Sequence, residues 1–136
     1  MLGNFTYHNP TKLIFGKDAL ASLAAELTPY NTIQLVYGSG SIRRFGIYNQ
    51  VVETLRAAGK TIVEDSGVMP NPTIEKLREG AQIARDNDVD FILAVGGGSC
   101  VDYAKAVAVS KDLPAGEDPW DVYFDRFEEP AADREV

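Results

Sequence analysis

Five apolar residues, Phe91 to Val95, run straight into Gly96-Gly97-Gly98, and helix-favouring spacing resumes at Ser99. An apolar run of that length, closed by glycine, reads as a buried strand. A chain that leaves a strand through residues without a Cβ can take positive φ and lie close against a ligand. Ser99 is suited to cap the helix that follows. The free N–H groups and dipole at a helix start favour an anion. The stretch therefore predicts a strand–turn–helix unit in which backbone holds an anion such as a diphosphate. Glycine turns also serve purely steric ends, so a structural turn is the competing reading.

The alternation recurs along the chain. Thr32–Tyr37 predicts a strand that runs into Gly38-Ser39-Gly40-Ser41. Ile47, Val51, Leu55 and Ala58 fall on one helical face, and Gly59 supplies the stop. Thr61–Glu64 predicts a second strand. Asn71 then reads as an N-cap with Pro72 at the first helical position, and Ile74, Leu77, Ala81 and Ala84 form the buried stripe. Phe91–Val95 is the third strand and Ser99–Ser110 the helix after it. Ahead of these, Phe5–His8 and Lys12–Phe15 read as short extended pieces and Ala19–Leu27 as a helix. Strands alternating with helices imply right-handed crossovers and a parallel sheet covered on both faces. The fold class is α/β, Rossmann-like, and both glycine turns fall at the carboxyl ends of strands, where such sheets bind ligands.

Composition excludes several classes. With 136 residues and 45% hydrophobic content, the chain suffices for one domain with its own core. No apolar run approaches the roughly 20 residues of a membrane span, and Met1-Leu2-Gly3-Asn4 carries no basic signal-peptide region. The single cysteine, Cys100, permits no internal disulfide and fits a reducing cytoplasm. A net charge of −7 argues against non-specific nucleic-acid binding. That charge is concentrated: from Glu117 onward, eight acids against Arg126 and Arg134 give −6 of the −7. The expectation is a solvated acidic tail.

Neither glycine turn matches G-x-G-x-x-G, because Arg43 and Val101 stand where the third glycine belongs. A G-x-x-x-x-G-K-[ST] loop is absent too. Residues 96–105, Gly-Gly-Gly-Ser-Cys-Val-Asp-Tyr-Ala-Lys, are instead similar to the G-G-G-S-x-x-D-x-x-K motif of the iron-containing (group III) alcohol dehydrogenases. Asn9–Gly16, Tyr37–Ser41, Pro70–Pro72 and Asp118–Trp120 follow in the right order. Together they resemble the butanol-dehydrogenase-like, NADPH-using branch. The resemblance implies the N-terminal nucleotide-binding domain of a dehydroquinate-synthase-like fold over residues 1–124; residues 125–136, the acidic tail, carry no resemblance.

It also implies roles. Gly97, Gly98 and Ser99 would hold the pyrophosphate of a nicotinamide dinucleotide. Asp102 and Lys105 would lie near that turn and the cofactor ribose, although their i,i+3 spacing equally suits a surface ion pair. Gly38, Ser39, Gly40 and Ser41 would surround the adenosine ribose. NAD-preferring relatives carry an Asp in this loop; here there is none, and Arg43 and Arg44 follow, which favours NADP over NAD. Glu64 or Asp65, as acceptors of a ribose hydroxyl, would pull the other way. Asn71 would touch the adenosine or simply cap a helix.

Family members also carry a downstream helical domain that binds Fe2+ or Zn2+ through one Asp and three His. This chain has one histidine, His8, and one imidazole cannot build that site. No catalytic or metal-ligating residue is therefore assigned, and the expectation is a truncated cofactor half, inactive alone. A stand-alone nucleotide-binding or interaction module is the alternative, as is a glycerol dehydrogenase or dehydroquinate synthase relative. A second copy is an expected partner, through the N-terminal segment or an exposed domain face. Cys100 beside the turn suits either a thiol of lowered pKa or a small apolar filler. Trp120 is expected to pack a short helix onto the domain.

Overall fold

The protein is described by a computed structural model over residues 3–114 and 116–126. Three strands, β1 (Thr32–Tyr37), β2 (Thr61–Asp65) and β3 (Phe91–Val95), form one parallel sheet in the order β2-β1-β3. The helices are α1 (Leu23–Glu26, after a 3-10 turn at Ala19–Ser22), α2 (Ser41–Arg44), α3 (Ile47–Ala57), α4 (Ile74–Asp86) and α5 (Gly98–Ser110). In register, Val36 lies beside Asp65 of β2, and Tyr37 beside Val95 of β3. The α/β, Rossmann-like class is as expected.

The sheet is central because its middle strand has no polar face to spare. Ile33 to Tyr37 are all buried, and strand alternation sends them to two different cores. Ile33, Leu35 and Tyr37 join Val51, Val52 and Leu55 of α3, with Leu27, on one face. Val36 joins Leu77 and Ala84 of α4 and Tyr103, Ala104 and Val107 of α5 on the other. A strand covered on both sides reads as a continuous apolar run, which is how Thr-Ile-Gln-Leu-Val-Tyr reads.

Gln34 is the exception, and it sits in a buried polar network. Its Nε2 donates to Asp65 Oδ2 at 2.9 Å and to the Gly80 carbonyl at 3.1 Å. Asp65 also accepts from Lys76 Nζ at 2.7 Å and from the Tyr103 hydroxyl at 2.7 Å. A buried carboxylate is tolerated only when paired and hydrogen-bonded, and this one receives three donors. The network ties β1, β2, α4 and α5 together.

Helix ends follow local chemistry. Gly59 takes φ 74 after α3, and Lys60 N–H reaches back to the Leu55 carbonyl at 3.0 Å, a left-handed C-terminal cap. Asp88, at φ 49, closes α4 likewise, with Val89 N–H on the Ala84 carbonyl at 3.0 Å.

Several expectations are corrected. Phe5–His8 and Lys12–Phe15 form no strands; residues 3–18 are exposed and without regular structure up to Phe15. Strand pairing needs a partner for the backbone groups, and this segment pairs with neither edge strand, β2 or β3. Asn71 is not the cap of α4: Thr73 is, its Oγ1 accepting the Lys76 N–H at 3.2 Å. Pro72 therefore precedes the cap, and Asn71 occupies φ 50 in the turn before it. Ser99 lies in the first turn of α5, whose N-cap is Gly97. Ala58 is exposed.

The start of the acidic segment is packed, because Arg78 gives Asp118 a two-pronged hydrogen bond at 2.7 and 2.9 Å. Arg78 holds the Asp118 carboxyl below its usual pKa range. Residues 121–125 form a single π-type turn with Val122 buried, and the tail beyond residue 126 lies outside the described residues. Trp120 stacks on Phe124 with ring centroids 4.7 Å apart. No helix among the described residues is long and apolar enough to cross a membrane.

Candidate functional site

The order β2-β1-β3 places a topological switch point between β1 and β3. The chain leaves β1 toward α2 and α3 on one face of the sheet, and leaves β3 into α5 on the other. Open α/β sheets bind ligands in the crevice that such a divergence opens at the carboxyl ends of the strands. Both glycine turns sit there, one residue beyond the paired Tyr37 and Val95.

The three glycines after β3 divide the work. Gly96 has φ 156, and a Cβ on it would lie 2.8 Å from Cys100 Sγ. Gly96 is therefore required by the turn itself. Gly97 and Gly98 have no atom within 4 Å of where a Cβ would stand. Nothing in the fold demands glycine at those two positions. Gly97, as the N-cap of the 13-residue α5, supplies no side-chain acceptor. The first N–H groups of a helix lack i−4 partners; in α5 the Cys100 N–H turns back to the Gly97 carbonyl at 3.1 Å, which leaves those of Gly98 and Ser99 without a backbone acceptor among the described residues. Bare donors at a long helix start, with room for a bulky group, suit a phosphate oxygen.

The third wall is the β2–α4 connection. Val68 N–H donates to the Tyr37 carbonyl at 3.2 Å, and a Cβ on Gly38 would meet the Val68 carbonyl at 3.3 Å. Asn71 N–H donates to Ser99 Oγ at 3.4 Å. Gly38, Asn71, Gly97, Gly98 and Ser99 are thus brought together. Asn71 contributes backbone, which its helix-cap reading could not have revealed. Ser39 and Gly40 are exposed on the β1–α2 loop, and Ser41 begins α2. Asp102 and Lys105 are exposed on α5, and no ion pair joins them among the described residues.

Cys100 fills the floor. Backbone N–H groups of Gly38 and Gly97 lie against its sulfur, but burial dominates and pushes the thiol pKa up. It is the small apolar filler, not an activated thiol. Asp65, a candidate for a ribose hydroxyl, is withdrawn from the site altogether, being 1% exposed and bound to Lys76 and Tyr103.

Next to the cradle, along α4 and α5, runs an apolar groove of about 240 Å³. Ile74, Leu77, Tyr103 and the Trp120–Phe124 stack line it, with Asp102 at the polar edge. Sequence reading missed this groove, because the residues beyond α5 that close it gave no periodic signal. Among the described residues no three His, Cys, Asp or Glu side chains gather as a metal site. His8 is exposed in the N-terminal segment.

Comparison with known proteins agrees with the geometry. The family model for iron-containing alcohol dehydrogenase matches residues 10–135. The probable NADH-dependent butanol dehydrogenase 1 of Bacillus subtilis (strain 168) is 48% identical over 120 residues, covering 88% of this chain and 30% of that protein. The NADPH-dependent aldehyde reductase YqhD of Escherichia coli (strain K12) is 36% identical over 121 residues, covering 89% of this chain and 31% of that protein. The crystal structure of NADH-dependent butanol dehydrogenase A from Thermotoga maritima superposes with a TM-score of 0.82 at 41% identity, covering 88% of this chain and 30% of that one. The chain spans about 30% of the length of the curated relatives it matches.

Proposed function

The chain belongs to the iron-containing alcohol dehydrogenase family, and from that membership we propose that it forms the dinucleotide-binding part of an NAD(P)-dependent alcohol dehydrogenase or aldehyde reductase. The observation that carries the reading is the convergence of Gly38, Asn71 and the 96–99 turn on the start of α5, which has no side-chain cap. The cradle fits a dinucleotide: Gly97 and Gly98 leave space that a Cβ would invade, and no side chain competes for the helix N–H groups. The pyrophosphate takes the N–H groups of the first turn of α5, beside the Ser99 hydroxyl. The ribose lies over the β1–α2 loop, where Gly38 and Gly40 let backbone approach. When bound, the nicotinamide supplies or accepts the hydride. This chain's own part is to bind, orient and restrain the dinucleotide, which lowers the entropic cost of a productive encounter.

A divalent metal does not fit the described residues, for want of a ligand cluster. The Lewis-acid part of the family's chemistry is therefore not assigned to any of the described residues.

NADP is the proposed cofactor, in preference to NAD. The loop 38–41 has no acid and leads to Arg43 and Arg44, and a guanidinium beside the ribose favours a 2′-phosphate. Relatives carry both preferences in their names, NADH in the Bacillus protein and NADPH in the Escherichia one. Titration of the chain with NADPH and NADH, followed by nicotinamide fluorescence, tests both levels of the proposal. NADPH is expected to saturate at a concentration at least tenfold lower than NADH. Failure of either dinucleotide to bind at millimolar concentration would refute the cofactor role.

We also propose that the chain self-associates through residues 5–15, in a cytoplasmic setting that keeps Cys100 reduced. Phe5, Tyr7, Leu13 and Phe15 are 76%, 78%, 85% and 95% exposed, an apolar series too costly to leave in water without a partner surface. A clean monomer in sedimentation at micromolar concentration would reject the association.

A further inference from the structure

At the carboxyl ends of β1 and β2, on the face that packs against α3, four side chains interlock. The Tyr37 hydroxyl donates to Glu64 Oε2 at 3.2 Å and the Tyr48 hydroxyl donates to Glu64 Oε1. Arg43 Nη2 donates to the Tyr37 hydroxyl oxygen at 3.0 Å. The Arg43 guanidinium also lies over the Tyr48 ring, 4.8 Å from its centroid, and 5.8 Å from that of Tyr37. The two rings meet edge to face, 5.4 Å apart. Tyr37 is 2% exposed, so the assembly is anchored in the core, whereas Arg43 and Glu64 face solvent.

An acid near the end of the second strand is the group that, in dinucleotide folds, accepts ribose hydroxyls and repels a 2′-phosphate. Glu64 stands in that position. Here both its oxygens are occupied by tyrosine hydroxyls, and a guanidinium lies beside it. A guanidinium has five N–H donors, of which Tyr37 engages one. The rest are free to meet an anion, and stacking on two rings restrains the planar group before any ligand arrives. The spacing is suitable as well. From β3, where the pyrophosphate turn lies, to β2 is two strand separations, about 10 Å. A ribose riding over β1 bridges that interval.

We propose that Arg43, held by the Tyr37–Tyr48–Glu64 frame, is the residue that selects a 2′-phosphorylated adenosine, with Glu64 converted from a ribose acceptor into the anchor of that frame. The proposal rests on the dinucleotide reading above, and adenosine fragments separate the two. Isothermal titration of the chain with 2′,5′-ADP and with 5′-AMP is the experiment, on the wild type and on R43A, R43Q and Y48F. The wild type is expected to bind 2′,5′-ADP at least tenfold more tightly than 5′-AMP. Both Arg43 variants should weaken 2′,5′-ADP tenfold or more and leave 5′-AMP within twofold. Y48F retains the guanidinium but loosens its frame, and should narrow the preference several-fold. If the Arg43 variants weaken both fragments equally, or neither, the selection role is overturned while the dinucleotide reading stands. An unchanged preference in Y48F would overturn the role of the frame. If the wild type binds neither fragment nor NADPH, the dinucleotide reading falls and the proposal with it.

Discussion

Gly80 lies on α4 where that helix crosses α5, and the structure leaves it no room for a methyl group. A Cβ there would stand 2.0 Å from the Tyr103 hydroxyl oxygen, 2.8 Å from its Cζ and 2.9 Å from Asp65 Oδ2. Ordinary contacts between such atoms are about 3.5–4 Å, so Gly80→Ala must drive the Tyr103 ring away by more than an ångström. That ring is 2% exposed and packed among Leu77, Ala104 and Val107. Its hydroxyl bonds Asp65 at 2.7 Å and approaches the Lys76 carbonyl at 3.1 Å. Overpacking of a close-packed core costs about 1–3 kcal/mol. Losing a donor to a buried carboxylate adds about 1.5–3 kcal/mol. The better helix propensity of alanine returns only about 1 kcal/mol. The expected net destabilisation is roughly 2–5 kcal/mol, a fall in Tm on the order of 10 °C for a chain of this size. Thermal unfolding by circular dichroism, with denaturant titration for the free energy, measures it. A cycle with Tyr103→Phe makes the test sharper. Without the hydroxyl the nearest clash and the bond to Asp65 are both gone already, so Gly80→Ala should cost clearly less in that background. A Gly80→Ala variant as stable as the wild type, or additivity of the two changes within about 0.5 kcal/mol, would refute this account of the helix crossing.

Two further outcomes follow from the geometry. Gly97→Ala and Gly98→Ala should leave the Tm within a few degrees, since no atom lies within 4 Å of either new methyl, yet weaken NADPH binding tenfold or more; Gly96→Ala, whose Cβ meets Cys100 Sγ at 2.8 Å, should destabilise the fold itself. Equal effects at all three positions, read by melting and titration together, would make the turn merely structural. Tyr48 is the second case: its hydrogen bond to Glu64 pushes its pKa from 10.0 up to about 12. A raised pKa favours the protonated phenol in the folded state, so this contribution is complete below pH 10 and disappears as pH rises toward 12. Comparing alkaline spectrophotometric titrations of wild type and Tyr48→Phe should remove one late-ionising tyrosine. Loss of one that titrates near pH 10 instead would contradict the contact.

Periodicity and glycine chemistry made most of the scaffold legible. β1 and β3 fall where Thr32–Tyr37 and Phe91–Val95 read as strands, and β2 extends one residue past Thr61–Glu64 to Asp65. The stripe Leu77, Ala81, Ala84 of α4 is buried as its spacing demands. Local signals misled where two residues competed for one job. Asn71-Pro72 has the look of a helix start, yet Thr73, two residues on, has the extended φ and ψ and the hydroxyl that the cap needs. The N-terminal pieces have strand-like composition, but β-structure depends on a neighbouring strand that composition does not reveal. Within the site, the two glycine turns were visible because each ends an apolar run. Their juxtaposition was not, because it depends on β1 and β3 being neighbours while β2 intervenes in the chain. The pairing of Asp65 with Lys76 and of Glu64 with Tyr48 was equally hidden. Nothing in Thr-Ile-Val-Glu-Asp indicates which acid faces the core.

The strand order also governs when the cradle can exist during folding. Ile33 pairs with Ile62 across 29 residues of chain and with Phe91 across 58. A twofold longer loop raises the entropic cost of closure by only about 0.6 kcal/mol, so the second pairing is barely less accessible than the first. Yet only the second brings Gly38 beside Gly97. An intermediate made of the parallel β1–β2 pair and its crossover helix would carry half of the adenosine side and none of the pyrophosphate side. A dinucleotide that spans both turns therefore recognises only the fully closed sheet, and its binding free energy is added to that last closure rather than to any earlier one.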